Sequence, residues 1–134
     1  MKQILVLGAG KIGALISGLL AESGDYGVQL ADSVDGVASK VVAKHGSPNL
    51  SAFVLDASSK EAMTAHVKAH KVDAAISGLP YYCNAVVAEV AREEGLHYFD
   101  LTEDVEVTRA VRKLAEGAKT AFVPQCGLAP GFIS

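Results

Sequence analysis

Three glycines near the N-terminus have the spacing of a phosphate-binding turn. They lie in Gly8-Ala9-Gly10-Lys11-Ile12-Gly13, between the apolar run 4–7 and an apolar helical stretch. In such a turn the first glycine permits the bend, the second lets the backbone approach a pyrophosphate, and the third lets the helix pack against the strand. The pyrophosphate would lie at the helix N-terminus, where unpaired N–H groups and the helix dipole favour negative charge. We therefore predict that residues 8–13 bind a dinucleotide; a purely structural glycine turn is the alternative.

The pair Asp32-Ser33 comes at the end of the second predicted strand, with Asp32 19 residues after Gly13. A carboxylate at this place hydrogen-bonds the adenosine ribose hydroxyls and repels a 2′-phosphate. No Arg or Lys adjoins Asp32 to receive such a phosphate. The pair therefore predicts NAD as the cofactor, with NADP disfavoured. The alternative is a solvated aspartate that caps the following helix.

Two further segments follow predicted strands, at the sheet edge where open α/β folds bind ligands. Asp56-Ala57, followed by Ser58, comes after the third strand and is predicted to meet the adenine, although a helix cap and loop explain it equally well. Ser77-Gly78-Leu79-Pro80 comes after the fourth strand. Its glycine allows a close backbone approach, and Leu79-Pro80 would form an apolar wall beside the nicotinamide ribose and ring.

Candidate catalytic residues follow the fourth and fifth predicted strands. Asp100 and Thr102 would face a substrate next to the nicotinamide, where a carboxylate can orient an amine or transfer a proton. Tyr81 could reach the same substrate, although an aromatic residue at a helix start more often packs against a neighbouring domain. The four histidines and two cysteines have no metal-ligand spacing, so we predict no metal site.

The elements that position these residues alternate along the whole chain. Short apolar runs at 4–7, 28–32, 52–56, 72–77, 97–101 and 120–123 are separated by helical stretches at about 12–23, 34–44, 59–70, 81–94 and 103–116. Ser33 and Ser58 are predicted to cap the second and third helices, and His45, His66 and His70 to be solvated. Six strand–helix alternations predict an α/β fold, a doubly wound parallel sheet of the Rossmann type with strand order 3-2-1-4-5-6.

Composition excludes several other classes of function. The net charge is −3 with the charges scattered, so a nucleic-acid partner is not expected. The longest uncharged stretch of the first helix, 12–21, is too short to cross a bilayer, so no membrane partner is expected. Two cysteines far apart in sequence favour reduced thiols and a cytoplasmic location.

Taken together, four segments resemble the saccharopine dehydrogenase family, which includes saccharopine reductases and lysine 6-dehydrogenases. They are the glycine turn, Ile76-Ser77-Gly78-Leu79-Pro80, Tyr98-Phe99-Asp100-Leu101-Thr102 and Cys126-Gly127-Leu128-Ala129-Pro130-Gly131. Many members have Asp where this chain has Ala129. Members that use NADP tend to end the second strand in residues like Ser-Arg, whereas this chain has Asp32-Ser33.

The resemblance implies an NAD(P)-dependent oxidation at a C–N bond of an amino acid such as saccharopine or lysine. It covers only the family's nucleotide-binding half, so we expect a cofactor domain over residues 1–125 and the start of a connection to a missing substrate domain over 126–134. Such a fragment would be inactive alone, and the full-length protein would be a homodimer. The alternatives are a regulatory NAD-sensing module of a channel or transporter, and a scaffold with a vestigial glycine turn.

Overall fold

The computed structural model describes residues 2–79, 81–100 and 122–123, and it describes only the backbone of Lys11, Ile12, Tyr81, Tyr82, Phe122 and Val123. The predicted site residues Pro80 and Thr102 lie outside the described residues, as does the predicted domain boundary after residue 125. The strands are β1 (Lys2–Leu7), β2 (Tyr26–Asp32), β3 (Leu50–Val54), β4 (Ala74–Ser77), β5 (His97–Asp100) and β6 (Phe122–Val123). The helices are α1 (Lys11–Ser23), α2 (Val37–His45), α3 (Lys60–Ala69) and α4 (Tyr81–Glu94).

The strands form one parallel sheet in the order β3-β2-β1-β4-β5-β6. This order confirms the predicted α/β parallel architecture and the arrangement of the first five strands. At the sixth position only two residues, Phe122 and Val123, are described as strand and pair with β5. The chain reverses its direction of sheet growth between β1 and β4, and this switch point opens a crevice at the carboxyl ends of the strands.

Alternating residues of the central strand send their side chains to opposite faces of the sheet. Leu5 and Leu7 belong to one buried cluster, together with Met63 from α3 and Val87 from α4. On the other face, Ile4 and Val6 pack in a second cluster, which contains side chains of α1 and α2. The sheet is therefore covered on both faces, which explains why its central strands are continuous apolar runs rather than alternating ones.

Two predicted helix starts are wrong. Helix α2 begins at Val37 after Gly36, whose φ is +87°, and not after Ser33. The cause is Asp32, whose Oδ1 accepts the Val34 N–H at 2.9 Å and holds residues 32–34 in a turn. The predicted helix ends are confirmed, because Gly24, Gly46 and Gly95 have positive φ directly after α1, α2 and α4.

Helix α3 begins one residue later than predicted. Its cap is Ser59, whose Oγ accepts the Ala62 N–H at 3.2 Å. Ser58 instead donates its hydroxyl to Asp56 Oδ1 at 2.5 Å. The sequence offers two adjacent serines, and the turn at Asp56 decides between them.

One of the predicted solvated histidines is buried. His66 of α3 is only 9% exposed, and its Nε2 lies 2.8 Å from Gln29 Oε1. The rings of Phe53 and His70 pack on it at centroid distances of 4.9 and 4.5 Å. Burial, and then the neighbouring His70, lower the pKa of His66, because both disfavour its protonated form.

None of the helices in the described part of the chain is long and apolar enough to cross a membrane. The same residues contain no group of three or more potential metal-binding side chains.

Candidate functional site

The glycine turn has the geometry that its sequence predicts. Gly8 has φ +94° and donates its N–H to the Ala31 carbonyl at 2.8 Å, which ties β1 to β2 at the bend. A Cβ on Gly13 would lie 1.8 Å from the Gly8 carbonyl oxygen, so α1 packs closely on the turn through that glycine. A Cβ on Gly10 would meet nothing within 4 Å.

The N-terminus of α1 opens beside this turn. Gly10 is the N-cap residue, and it supplies no side-chain hydrogen bond to the helix. The first turn of α1 also contains no acidic residue. The backbone N–H groups there are left for an anionic ligand, and the open space at Gly10 gives that ligand access to the backbone.

A cavity of about 420 Å³ adjoins the turn at the carboxyl ends of β1, β2 and β3. This volume is in the range of small-molecule sites in proteins. Six of the predicted cofactor-binding residues lie in its wall. They are Gly8, Asp32, Ser33, Asp56, Ala57 and Leu79.

The Asp32 carboxylate cross-links the two loops that border the cavity. One oxygen, Oδ2, accepts the Ala9 N–H of the glycine turn at 2.9 Å, and Oδ1 accepts the Val34 N–H at 2.9 Å. Both carboxylate oxygens thus stabilise backbone groups of the protein itself. Ser33, the next residue, is exposed and lines the cavity.

The predicted adenine segment is a turn closed by its own side chains. Asp56 Oδ1 accepts hydrogen bonds from both the N–H and the hydroxyl of Ser58, at 3.0 and 2.5 Å. These two bonds lower the pKa of the exposed Asp56 carboxyl. The loop-and-cap interpretation therefore describes the bonding of Asp56, while Ala57 and Ser58 also line the cavity.

The loop after β4 packs against the glycine turn. Gly78 donates its N–H to the Leu7 carbonyl at 2.9 Å. An ideal Cβ on Gly8 would lie 3.2 Å from Leu79 Cδ2 and 3.3 Å from the Gly78 carbonyl oxygen. Ser77 does not reach the cavity, because it is fully buried and donates its hydroxyl to Asn84 Oδ1 at 2.6 Å.

The predicted catalytic residues are not brought together on an open surface of the described part. Asp100 is fully buried, and its carboxylate accepts the Tyr98 hydroxyl. It lies opposite Ser77 in the β4–β5 register. The backbone of Tyr81 begins α4.

The sequence did not single out Cys83 and Asn84, two neighbours on α4. Cys83 is buried and lines the cavity, and burial followed by the Asp56 charge raises the pKa of its thiol. Asn84 is fully buried beside Ser77. The sequence could have indicated them by their position, because residues 83 and 84 come three and four positions after Pro80. In a helix this places them within about one turn of the loop that ends the strand.

The geometry of the turn and cavity agrees with a comparison against known families. Residues 4–123 match the family described as the saccharopine dehydrogenase NADP binding domain. The chain belongs to this family. The resemblance read from the four sequence segments is thereby confirmed, and the family match supports an oxidoreductase domain rather than a regulatory module of a channel or transporter.

The chain shares its fold with solved structures at low sequence identity. The apo saccharopine dehydrogenase (L-Glu forming) from Saccharomyces cerevisiae has a TM-score of 0.84 at 23% identity, over 98% of this chain and 28% of that one. The WlbA dehydrogenase from Chromobacterium violaceum, in complex with NADH and UDP-GlcNAcA, has 0.71 at 18%, over 92% and 34%. A biliverdin reductase from Synechocystis, in complex with biliverdin and NADP+, has 0.65 at 13%, over 91% and 37%.

This chain corresponds to only a part of each of these three solved structures. It spans between 28% and 37% of the length of these three chains. Two of those structures hold NADH and NADP+ respectively, so this fold by itself does not decide between the two cofactors.

The prediction of NAD is wrong, because the family that the chain belongs to is an NADP binding domain. The prediction rested on Asp32 as a free carboxylate that holds a ribose and repels a phosphate. In the structure that carboxylate is engaged with the N–H groups of Ala9 and Val34. Position in the sequence identifies an acid at the end of β2, but not the direction in which its oxygens point.

Proposed function

We propose that this domain binds NADP(H) along the carboxyl edge of its sheet and serves as the cofactor-binding part of an amino-acid dehydrogenase. The observation that supports this proposal most directly is the cavity at the ends of β1, β2 and β3. The cavity adjoins the open space beside Gly10 and the start of α1, which has no side-chain cap. The pyrophosphate would lie on the helix N-terminus, and the adenosine would occupy the cavity.

The 2′-phosphate would lie near the β2 loop. Ser33 offers an exposed hydroxyl there, and Ser58 lines the same cavity from the β3 side. The Ser33 hydroxyl is a neutral donor that suits a phosphate oxygen, whereas the single hydroxyl proton of Ser58 is donated to Asp56 in this structure. The Asp32 cross-link keeps the β2 loop against the glycine turn, so the phosphate-binding groups are held in a fixed arrangement.

The substrate proposal is coarser, and it rests on family membership. We propose oxidation at a C–N bond of an amino acid, with saccharopine and lysine as the first compounds to test. Hydride would pass from the carbon that bears nitrogen to the nicotinamide of NADP+, and the nitrogen would lose a proton. Water would then hydrolyse the resulting imine to a carbonyl compound and an amine. Because the chain spans 28% of the yeast saccharopine dehydrogenase, we propose that it binds cofactor without turning over either compound by itself. The free thiol of Cys83 is compatible with a cytoplasmic location.

The direct test is a calorimetric titration of the purified chain with NADP+, NADPH, NAD+ and NADH. We expect the phosphorylated pair to bind at least about tenfold more tightly, which corresponds to one charge-assisted hydrogen bond or more. Tighter binding of NAD+ and NADH, or no binding of any of the four, would overturn the proposal.

A matched pair of serine variants locates the phosphate. Ser33→Ala should weaken NADPH binding several-fold and leave NADH binding unchanged. Ser39→Ala, a change at an exposed position within α2, should alter neither affinity. Equal effects of Ser33→Ala on both cofactors would place the 2′-phosphate elsewhere.

A further inference from the structure

A buried polar network lies beneath the loop that follows β4. Its side chains are Ser77, Asn84, Tyr98 and Asp100, and each of the four is fully buried. The Ser77 hydroxyl donates to Asn84 Oδ1 at 2.6 Å. The Tyr98 hydroxyl contacts the Asn84 carbonyl at 3.5 Å and donates to the Asp100 carboxylate.

The network is connected to the cofactor turn through backbone. Ser77 Oγ accepts the Leu79 N–H at 3.4 Å, so the serine links Asn84 to the loop. Leu79 and Gly78 in turn pack against Gly8, the first glycine of the turn. A displacement of Ser77 would therefore be transmitted to the part of the site next to the pyrophosphate.

Asn84 is kept at a cost to the fold. Its Nδ2 is buried and has no hydrogen-bond partner among the residues that the structure describes. An unsatisfied buried donor destabilises a protein by about 1–3 kcal/mol. Apolar side chains fill the neighbouring α4 positions Val87 and Val90, so an apolar residue would be the ordinary occupant of such a place. A polar side chain retained here points to a role other than stability.

We propose that Asn84 is a positioning residue for the pyrophosphate and the nicotinamide half of the cofactor. It acts through Ser77, which fixes the Gly78–Leu79 loop against the glycine turn. In this network Asp100 is a second support, because it holds Tyr98, and Tyr98 contacts the Asn84 backbone. This inference rests on the proposed NADP(H) site and assigns that site a supporting layer beneath it.

The test compares two ligands that share the adenine half. NADPH occupies the whole site, whereas adenosine 2′,5′-bisphosphate lacks the second phosphate of the pyrophosphate as well as the nicotinamide ribose and ring. We expect Asn84→Ala and Ser77→Ala each to weaken NADPH binding about tenfold, the equivalent of one lost hydrogen bond. Binding of the bisphosphate should weaken less, because the link from Ser77 through Leu79 reaches the pyrophosphate turn at Gly8, and Leu79 is only one part of the wall around the adenosine. Ser77→Thr keeps the hydroxyl and should restore NADPH binding.

A double variant distinguishes positioning from a general loss of stability. If Asn84 acts through Ser77, Asn84→Ala combined with Ser77→Ala should be no worse than either single change. Equal weakening of both ligands, or additive losses in the double variant, would overturn the positioning role. If Asn84→Ala does not fold, the Ser77→Ala and Ser77→Thr pair carries the same comparison. Failure of the unchanged chain to bind either ligand would instead overturn the proposed function.

Discussion

Gly10 and Gly13 stand three residues apart and have opposite surroundings. Gly13→Ala would place a methyl group 1.8 Å from the Gly8 carbonyl, so we expect a loss of roughly 3 kcal/mol in unfolding free energy. Gly10→Ala meets open space at φ −70° and should cost about 1 kcal/mol or less. Its methyl group would instead obstruct the pyrophosphate and weaken NADPH binding. Urea denaturation and calorimetry on the same two variants would check both expectations.

Only the effect of Gly10→Ala on binding would disappear if the turn had no ligand. A vestigial turn predicts that Gly10→Ala leaves NADPH binding unchanged while Gly13→Ala still destabilises the fold. The pair therefore separates the packing role of the motif from its binding role, which the spacing of the glycines cannot do.

His66 predicts a pH dependence of stability. Its pKa is lowered in the folded state, so the unfolded chain binds the proton more readily. Stability should therefore be lost as the pH falls through the unfolded value near 6.5. His66→Gln, which can still bond to Gln29, should remove that part of the pH slope between about pH 8 and about pH 5. His45→Gln, at an exposed position, is the control that should retain it.

Two serine variants test which residue forms the N-terminal cap of helix α3. Ser59→Ala removes the acceptor for the Ala62 N–H and should lower the unfolding free energy by about 1 kcal/mol. Ser58→Ala leaves that cap in place and should have a smaller effect. A larger loss for Ser58→Ala in chemical denaturation would show that the turn at Asp56, rather than the cap, stabilises this junction.

The order and type of the elements were predictable because their signals are local. Apolar runs, helix periodicity and the glycines after α1, α2 and α4 predict the sheet and the helix ends. The helix starts at Ser33 and Ser58 were not predictable, because they depend on Asp32 and Asp56, whose carboxylates close turns with the Val34 and Ser58 N–H groups just before the helices. The prediction that His66 is solvated was wrong for a related reason. Its burial depends on Phe53 of β3 and Gln29 of β2, which are distant from it in sequence.

The candidate site likewise has one part that could be predicted from the sequence and one part that could not. The glycine turn was predictable because each glycine is required by backbone geometry that its neighbours already specify. The direction of Asp32 and the burial of Ser77 and Asp100 depend on partners up to 23 residues away in sequence, such as the Ala9 N–H that binds Asp32. The prediction of NAD rested on a free Asp32 carboxylate, and it was wrong because the hydrogen bonds of that carboxylate were not predicted.

At the scale of the whole molecule, the cavity wall combines residues from Leu7 to Cys83 and draws on the ends of β1, β2 and β3 and the start of α4. No short segment of the chain contains the site, so unfolding abolishes it. A ligand that binds only the folded form adds RT ln(1 + [L]/Kd) to its stability, about 2.7 kcal/mol at a hundredfold excess over Kd. NADPH should therefore raise the melting temperature, and adenosine 2′,5′-bisphosphate should do so to a smaller extent.

In a cell, that linkage makes the nucleotide pool a determinant of how long the protein survives. Proteases act on the open chain, and a bound ligand lowers the fraction of time the chain is open. When the reduced nucleotide is scarce, the domain should be degraded faster, and pulse proteolysis with and without NADPH would measure the difference. A cavity assembled from four distant segments would in this way adjust the amount of the protein to the supply of its cofactor.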